Sequence, residues 1–252
     1  MPSLRLSSSI ALAIAVLLLG GCVDRQDRGP DGGLIPNPAF PRNARIVFFG
    51  DSITEAGALP GGYVSLIESS LKALYPTRGI RVYGAGVSGN RVPDLLARLE
   101  KDVLRRKPTH VVVYIGVNDV GRGSPPGRGN TDRESYRAGL EALVRRLGAS
   151  GAKVFLCTPA VIGENVTVET NENQLLDQYS EVSREVAAEH GAVLCDLRAA
   201  FVDYLRENNV EHHDRGVLTS DGVHLNEEGN QFVARHILST LASSERPAPA
   251  SP

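Results

Sequence analysis

No charge of one sign dominates the sequence. Its 252 residues carry 27 Lys and Arg against 29 Asp and Glu, a formal net charge of −2. No basic run is interleaved with aromatics, so nucleic acid is not expected as a partner, nor is a basic membrane-surface protein. Internal repeats are also missing, which points to one domain with extensions, long enough to bury a core. No apolar run at the amino terminus spans a bilayer, which needs about 20 residues. Histidine and cysteine are nowhere clustered at recognisable metal-ligand spacing. His212-His213-Asp214 stands alone and reads as a solvated loop, so neither a metal nor another cofactor is expected.

At the amino terminus Arg5 precedes an apolar run, Ile10 to Leu19, followed by small residues. This is the form of a secretory signal. Leu19-Gly20-Gly21-Cys22 resembles the lipobox of bacterial lipoproteins. The resemblance implies lipidation of Cys22, which becomes the first residue of an exported protein anchored to a bacterial cell membrane. Residues 1–21 are then a signal peptide. Residues 22–43, rich in Asp, Arg, Gly and Pro, form a flexible tether reaching about 25 Å. The folded domain is expected over 44–242, and a disordered tail with three prolines over 243–252. Of the three cysteines, Cys157 and Cys195 remain; both lie near the ends of expected strands and read as buried free thiols.

Within the domain, apolar runs alternate with helical periodicity. Strands are expected at 46–49, 80–83, 111–115, 154–157 and 192–195. Between them lie helices carrying Val64, Ile67, Leu71 and Leu74; then Leu95, Leu96, Leu99 and Val103; then Tyr136, Leu140, Leu143 and Leu147; then Leu175, Tyr179, Val182 and Val186. Thr131-Asp132-Arg133-Glu134 has capping-box spacing. Glu227 and Glu228 open a last helix, where anions suit the dipole. Such alternation predicts a three-layer α/β/α fold around a doubly wound, parallel five-stranded sheet, with order 2-1-3-4-5 preferred.

Ligands bind outside the carboxyl ends of parallel strands, and the first strand ends in Gly50-Asp51-Ser52-Ile53-Thr54. A serine there can be a nucleophile, a phosphate-loop residue or a helix cap. As a nucleophile it needs a base. His224 is the candidate, with Asp221 three residues earlier able to hold its other ring nitrogen. The developing oxyanion needs donors, which the backbone N–H groups of Ser52 and Gly89 and the amide of Asn118 can supply.

Gly50-Asp51-Ser52-Ile53-Thr54, Gly89, Gly116-Val117-Asn118-Asp119 and Asp221-Gly222-Val223-His224 resemble, in order, the four motif blocks of the SGNH (GDSL-type) hydrolases, over about residues 45–242. The resemblance implies a flavodoxin-like sheet and metal-free ester hydrolysis at an open, shallow site. Ser52 is then nucleophile, His224 base and Asp221 its orienter; Ser52, Gly89 and Asn118 form the oxyanion hole. Departures from the family pattern fall at Gly84, Asn90 and Arg91.

Rival readings are weaker. Gly84 to Gly89 formally matches a dinucleotide fingerprint, but the expected acidic residue at the end of the next strand is missing. An aspartyl-phosphate chemistry at Asp51 would want a second acid at Ile53. His110, His190 and His236 have no partner pattern, and Cys157 lacks local support as a nucleophile. The expected substrate is a small ester or an acylated glycan, met outside the cytoplasm by a monomer. The loop from Gly121 to Asn130, with Arg122 and Arg128, and the segment from Thr158 to Thr170 would shape the pocket. An acyltransferase using the same acyl-enzyme, or a non-catalytic glycan-binding lipoprotein, is the alternative.

Overall fold

The computed structural model describes residues 40–121 and 130–245. The signal peptide, Cys22, most of the tether, Arg122 and Arg128 lie outside the described residues.

Five strands form one parallel sheet in the order β2-β1-β3-β4-β5, as expected. They are β1 (Arg45–Gly50), β2 (Arg81–Gly86), β3 (His110–Tyr114), β4 (Lys153–Cys157) and β5 (Val193–Cys195). β1 and β3 are almost continuously apolar because both faces are covered. Ile46, Phe48, Val112, Tyr114, Phe155 and Cys157 point to one face. There they meet α2 (Tyr63–Leu74), α7 (Leu197–Asn208) and α8 (Glu227–Ser244). Val47, Phe49, Val111, Val113, Val154 and Leu156 point to the other. There they meet α3 (Val92–Asp102), α5 (Arg133–Ala149) and α6 (Asn171–His190). Two short helices, α1 (Ser52–Gly57) and α4 (Val117–Val120), follow β1 and β3 directly.

Several boundaries move. β2 continues through Gly84-Ala85-Gly86, paired with Phe48, Phe49 and Gly50 of β1. Gly84 and Gly86, beyond the strand expected at 80–83, are therefore strand residues. A Cβ on Gly86 would stand 2.1 Å from the Glu55 amide, so glycine lets β2 lie against the start of α1. This use removes them from any phosphate cradle. The cap of α5 is Asp132, whose side chain accepts from the Ser135 amide, rather than Thr131, which is buried beneath it. On α6 it is Leu176, not Leu175, that is fully buried. Phe40 is buried against Tyr75 and His110, so the fold begins before residue 44. The last helix runs to Ser244, and Glu245 pairs with Lys153 at 3.0 Å, so the ordered domain outlasts 242.

Cys157 and Cys195 face each other in register on β4 and β5 as buried free thiols. Burial pushes the Cys157 thiol well up, which disarms it as a nucleophile.

Candidate active site

β1, β2 and β3 all end at the same edge of the sheet, and that edge carries the site. Asp51 caps α1, its carboxylate accepting from the Ile53 amide at 3.0 Å. The capping role considered for Ser52 thus belongs to Asp51. Thr54 instead bonds the Tyr63 hydroxyl at 2.9 Å. Ser52 is left to project from the first turn, where its Oγ lies 2.8 Å from His224 Nε2.

His224 is held from the far side. Its Nδ1 lies 2.7 Å from Asp221 Oδ2, while Asp221 Oδ1 accepts from the backbone of Val223 and His224 at 2.9 and 2.8 Å. Partial burial pushes the Asp221 carboxyl up, but the His224 ring and these two amides outweigh it and hold the group at about 2. An ionised Asp221 fixes hydrogen on Nδ1 and leaves Nε2 to accept from Ser52. The His224 and Asp221 side chains are 44% and 50% exposed, so the relay sits on an open rim rather than in a tunnel.

The expected oxyanion donors follow the ends of β1, β2 and β3, at the same edge of the sheet as Ser52. Gly89 has φ +74, a conformation that favours glycine, and open space where a Cβ would be. Among the described residues neither its amide nor that of Ser52 meets an acceptor. Asn118, on the first turn of α4, uses its Nδ2 on the Asn90 carbonyl at 3.0 Å and approaches Asp51 at 3.4 Å. The second contact is long and weak, so that hydrogen is only loosely held.

Behind the donors lie two buried acids. Burial raises the Asp51 carboxyl to about 7; the neighbouring Asp119 adds to the effect, while the Ile53 amide and His224 oppose it. Burial likewise raises Asp119 to about 6. Asp119 accepts from the Val92 amide at 3.1 Å, tying the third motif block to α3. Asp51 is only 1% exposed, which argues against an aspartyl-phosphate role.

Two supports were not foreseen from sequence. Arg98 on α3 donates to the Gly50 carbonyl at 2.7 Å, the Ala85 carbonyl at 2.9 Å and Asn90 Oδ1 at 2.6 Å, and lies over the Phe49 ring. It thereby fastens the ends of β1 and β2 to the loop of Gly89 and Asn90. Glu164, fully buried, accepts from the amides of Val217, Leu218 and Thr219 and from the Thr219 hydroxyl at 2.9 Å. Thr219 Oγ1 in turn accepts from the Gly222 amide at 3.1 Å. The Gly163 and Glu164 amides donate to Gly222 and Asp214 at 2.8 and 2.9 Å. The loop bearing Asp221 and His224 is thus moulded around one carboxylate. Spacing carries no trace of Glu164, because it lies 57 residues before Asp221 and its partners are backbone groups.

His213 pairs with Glu211 at 2.7 Å and His212 with Thr167 at 3.3 Å, so the histidines after Glu211 do not converge on one point.

The GDSL-like Lipase/Acylhydrolase family matches residues 48–232. The chain is 34% identical over 208 residues to an acetylxylan esterase of Geobacillus stearothermophilus, covering 77% of this chain and 92% of that protein. A solved acetyl xylan esterase, AlAXEase, superposes with a TM-score of 0.74 at 41% identity, over 77% of this chain and 98% of its own. At 25% identity the chain also matches the human isoamyl acetate-hydrolyzing esterase 1 homolog, over 77% of this chain and 79% of that one. Structures of the Geobacillus esterase include catalytic mutants at a serine, an aspartate and a histidine, the last two three positions apart. Asp221 and His224 have the same separation.

Proposed function

The chain belongs to the GDSL-like Lipase/Acylhydrolase family, as a carboxylic ester hydrolase, and from that premise we propose that it removes acetyl groups from acetylated glycans, using Ser52 as nucleophile. The observation that carries this reading is the Ser52–His224–Asp221 relay, at 2.8 and 2.7 Å on an open rim. A polymer-borne ester can reach Ser52 there without entering a deep pocket. The likeness to acetylxylan esterases supports a short acyl group and a sugar alcohol.

The steps follow from the hydrogen bonds. His224 Nε2 takes the Ser52 proton as Oγ bonds to the ester carbonyl carbon, and the imidazolium is stabilised by Asp221. The carbonyl oxygen becomes an oxyanion facing the amides of Ser52 and Gly89 and Asn118 Nδ2, each donor worth about 2.7–4 kcal/mol of barrier. As the C–O bond to the sugar breaks, His224 returns its proton to the leaving oxygen, leaving acetyl-Ser52. Water then gives a proton to His224 while its oxygen attacks the acyl carbon; acetate departs and Ser52 regains its proton. No step in this scheme calls for a cofactor.

The lipobox supports an exported chain, lipid-anchored through Cys22 to a bacterial membrane. A fatty-acid analogue fed to cells should label the protein and leave the Cys22→Ser variant unlabelled; equal labelling of both would contradict the anchor.

Activity is tested with p-nitrophenyl esters of graded chain length beside acetylated xylo-oligosaccharides. Acetyl should turn over fastest, free acetate should appear from the glycan, and Ser52→Ala should abolish both. A preference for long acyl chains, or transfer of acetyl to an added glycan acceptor in place of free acetate, would contradict the reading.

A further inference from the structure

The near-neutral total charge conceals a one-sided distribution. Three segments meet at the amino-terminal edge of the sheet: residues 40–45 before β1, 76–81 before β2 and 103–110 before β3. They are joined by backbone bonds from Asn43 to the Arg78 carbonyl at 2.6 Å, Arg81 to the Ala44 carbonyl at 2.9 Å and Thr109 to the Arg45 carbonyl at 2.9 Å. Arg45 Nε also donates to the Lys107 carbonyl at 2.5 Å. Together the three segments hold seven cations, Arg42, Arg45, Arg78, Arg81, Arg105, Arg106 and Lys107, and no Asp or Glu. Five of the seven are exposed, Arg45 and Arg78 being half-buried.

Two carboxylates that adjoin these segments are already engaged. Asp102 pairs with Arg98 at 3.0 Å, and Glu245 with Lys153 and His110 at 3.0 and 3.3 Å. Arg106 lies over the Tyr83 ring and donates to the Asp102 carbonyl, neither of which cancels its charge.

Two placements give this edge a partner. The described chain begins on it, with Phe40 packed between Tyr75 and His110, so the segment leading back to Cys22 joins the domain here. The Ser52 site lies at the opposite edge, a strand length or roughly 17 Å away. Building on the lipid anchoring proposed above, we propose that this cationic edge docks on anionic lipid headgroups. The domain is laid on the membrane with its active site facing outward, towards glycans. Lys and Arg near an anionic surface contribute separately and within about a Debye length. A tether attached at the same edge raises the local concentration of headgroups.

The test separates docking from anchoring by using a chain that begins at Val23 and has no lipid. This chain keeps the whole fold: both hydrophobic clusters lie between Phe40 and Leu241, and AlAXEase is a solved domain matched over 98% of its length by 77% of this chain. Co-sedimentation is compared on vesicles of phosphatidylcholine alone and of phosphatidylcholine with phosphatidylglycerol. Binding is expected only on the anionic vesicles, falling more than about tenfold between low and high salt. Replacing Arg42, Arg81, Arg105 and Lys107 together by Gln should weaken it roughly 100-fold or more, with p-nitrophenyl acetate hydrolysis unchanged. Replacing the three arginines by Lys should preserve binding. Equal binding to both vesicle types, no binding to either, or undiminished binding by the Gln variant would overturn the proposal. So would binding to a soluble polyanion such as heparin with none to anionic vesicles. Fatty-acid labelling at Cys22 reports the anchor independently of all these outcomes.

Discussion

Replacing Glu164 by Gln changes one oxygen of a buried group and should disable a loop that Glu164 itself never enters. In the native arrangement one carboxylate oxygen accepts from Val217 at 2.8 Å. The other accepts from Leu218 at 2.6 Å, from the Thr219 amide and from the Thr219 hydroxyl at 2.9 Å. Gln keeps one acceptor oxygen but turns an NH2 group towards a backbone N–H. That leaves two donors facing each other in a site without solvent, costing about 1–3 kcal/mol. The remaining bonds also lose their charge assistance, from about 1.5–3 to about 0.5–1.5 kcal/mol each. With three bonds remaining, a total loss of roughly 4–7 kcal/mol follows, concentrated in the backbone of residues 217–219. Thr219 holds the Gly222 amide, so the misplacement reaches Asp221 and His224. With acetyl esters, kcat should fall about 10–100-fold while KM stays within about twofold, since small displacements from productive geometry cost rate more than ground-state binding. Melting temperature is measured in parallel, and Glu164→Asp, which keeps the charge, should recover part of kcat. Full kcat in a variant with a lowered melting temperature would refute the reasoning, because the carboxylate would then support the fold and not the relay.

Other outcomes follow from the same geometry. Asp221→Asn removes the charge that fixes the His224 tautomer and should lower kcat roughly 10³–10⁴-fold without unfolding the protein; an unchanged rate would remove Asp221 from the mechanism. Arg98→Met unfastens Gly50, Ala85 and Asn90 and should cost roughly 10–100-fold in kcat/KM. Unaltered kinetics would show that the loop of Gly89 and Asn90 holds itself. Asp51 sets a pH dependence of stability. Between 3.8 and about 7 the unfolded chain releases this proton while the native state keeps it, so stability falls as pH rises through that window. At 1.36 kcal/mol per pH unit the full cost is on the order of 4 kcal/mol. Denaturant titrations from pH 4 to pH 8 should show a flatter profile for Asp51→Asn than for the wild type, and parallel profiles would contradict the assignment.

What was legible in the sequence was whatever repeats locally or ends a strand. Val111 to Tyr114 announces a strand buried on both faces, and Ser52, Gly89 and Asn118 stand just past strand ends, where a parallel sheet gathers them. His224 and Asp221 were legible because their spacing lets one hold the other. The apolar pattern marks β2 only as far as Tyr83, because Gly84 and Gly86 carry no side chain that signals a strand; their purpose, letting α1 approach, exists only in three dimensions. Asp132 displaced Thr131 as the cap because Thr131 is buried, which no local spacing announces. Glu164 and Arg98 were invisible for a related reason: most of their partners are backbone amides and carbonyls that any residue could present. The cationic edge was hidden by composition, since seven cations from three distant segments vanish into a total of −2.

The central claim is that Ser52 carries the acyl group, and the most direct measurement is its mass. Turnover of p-nitrophenyl acetate quenched in acid, followed by proteolysis and mass spectrometry, should find one acetyl group on the peptide containing Ser52. The acetyl peptide should accumulate further in a variant slowed in deacylation, and no adduct should form in Ser52→Ala. Acetylation at another residue, or hydrolysis by Ser52→Ala at the wild-type rate, would contradict the account.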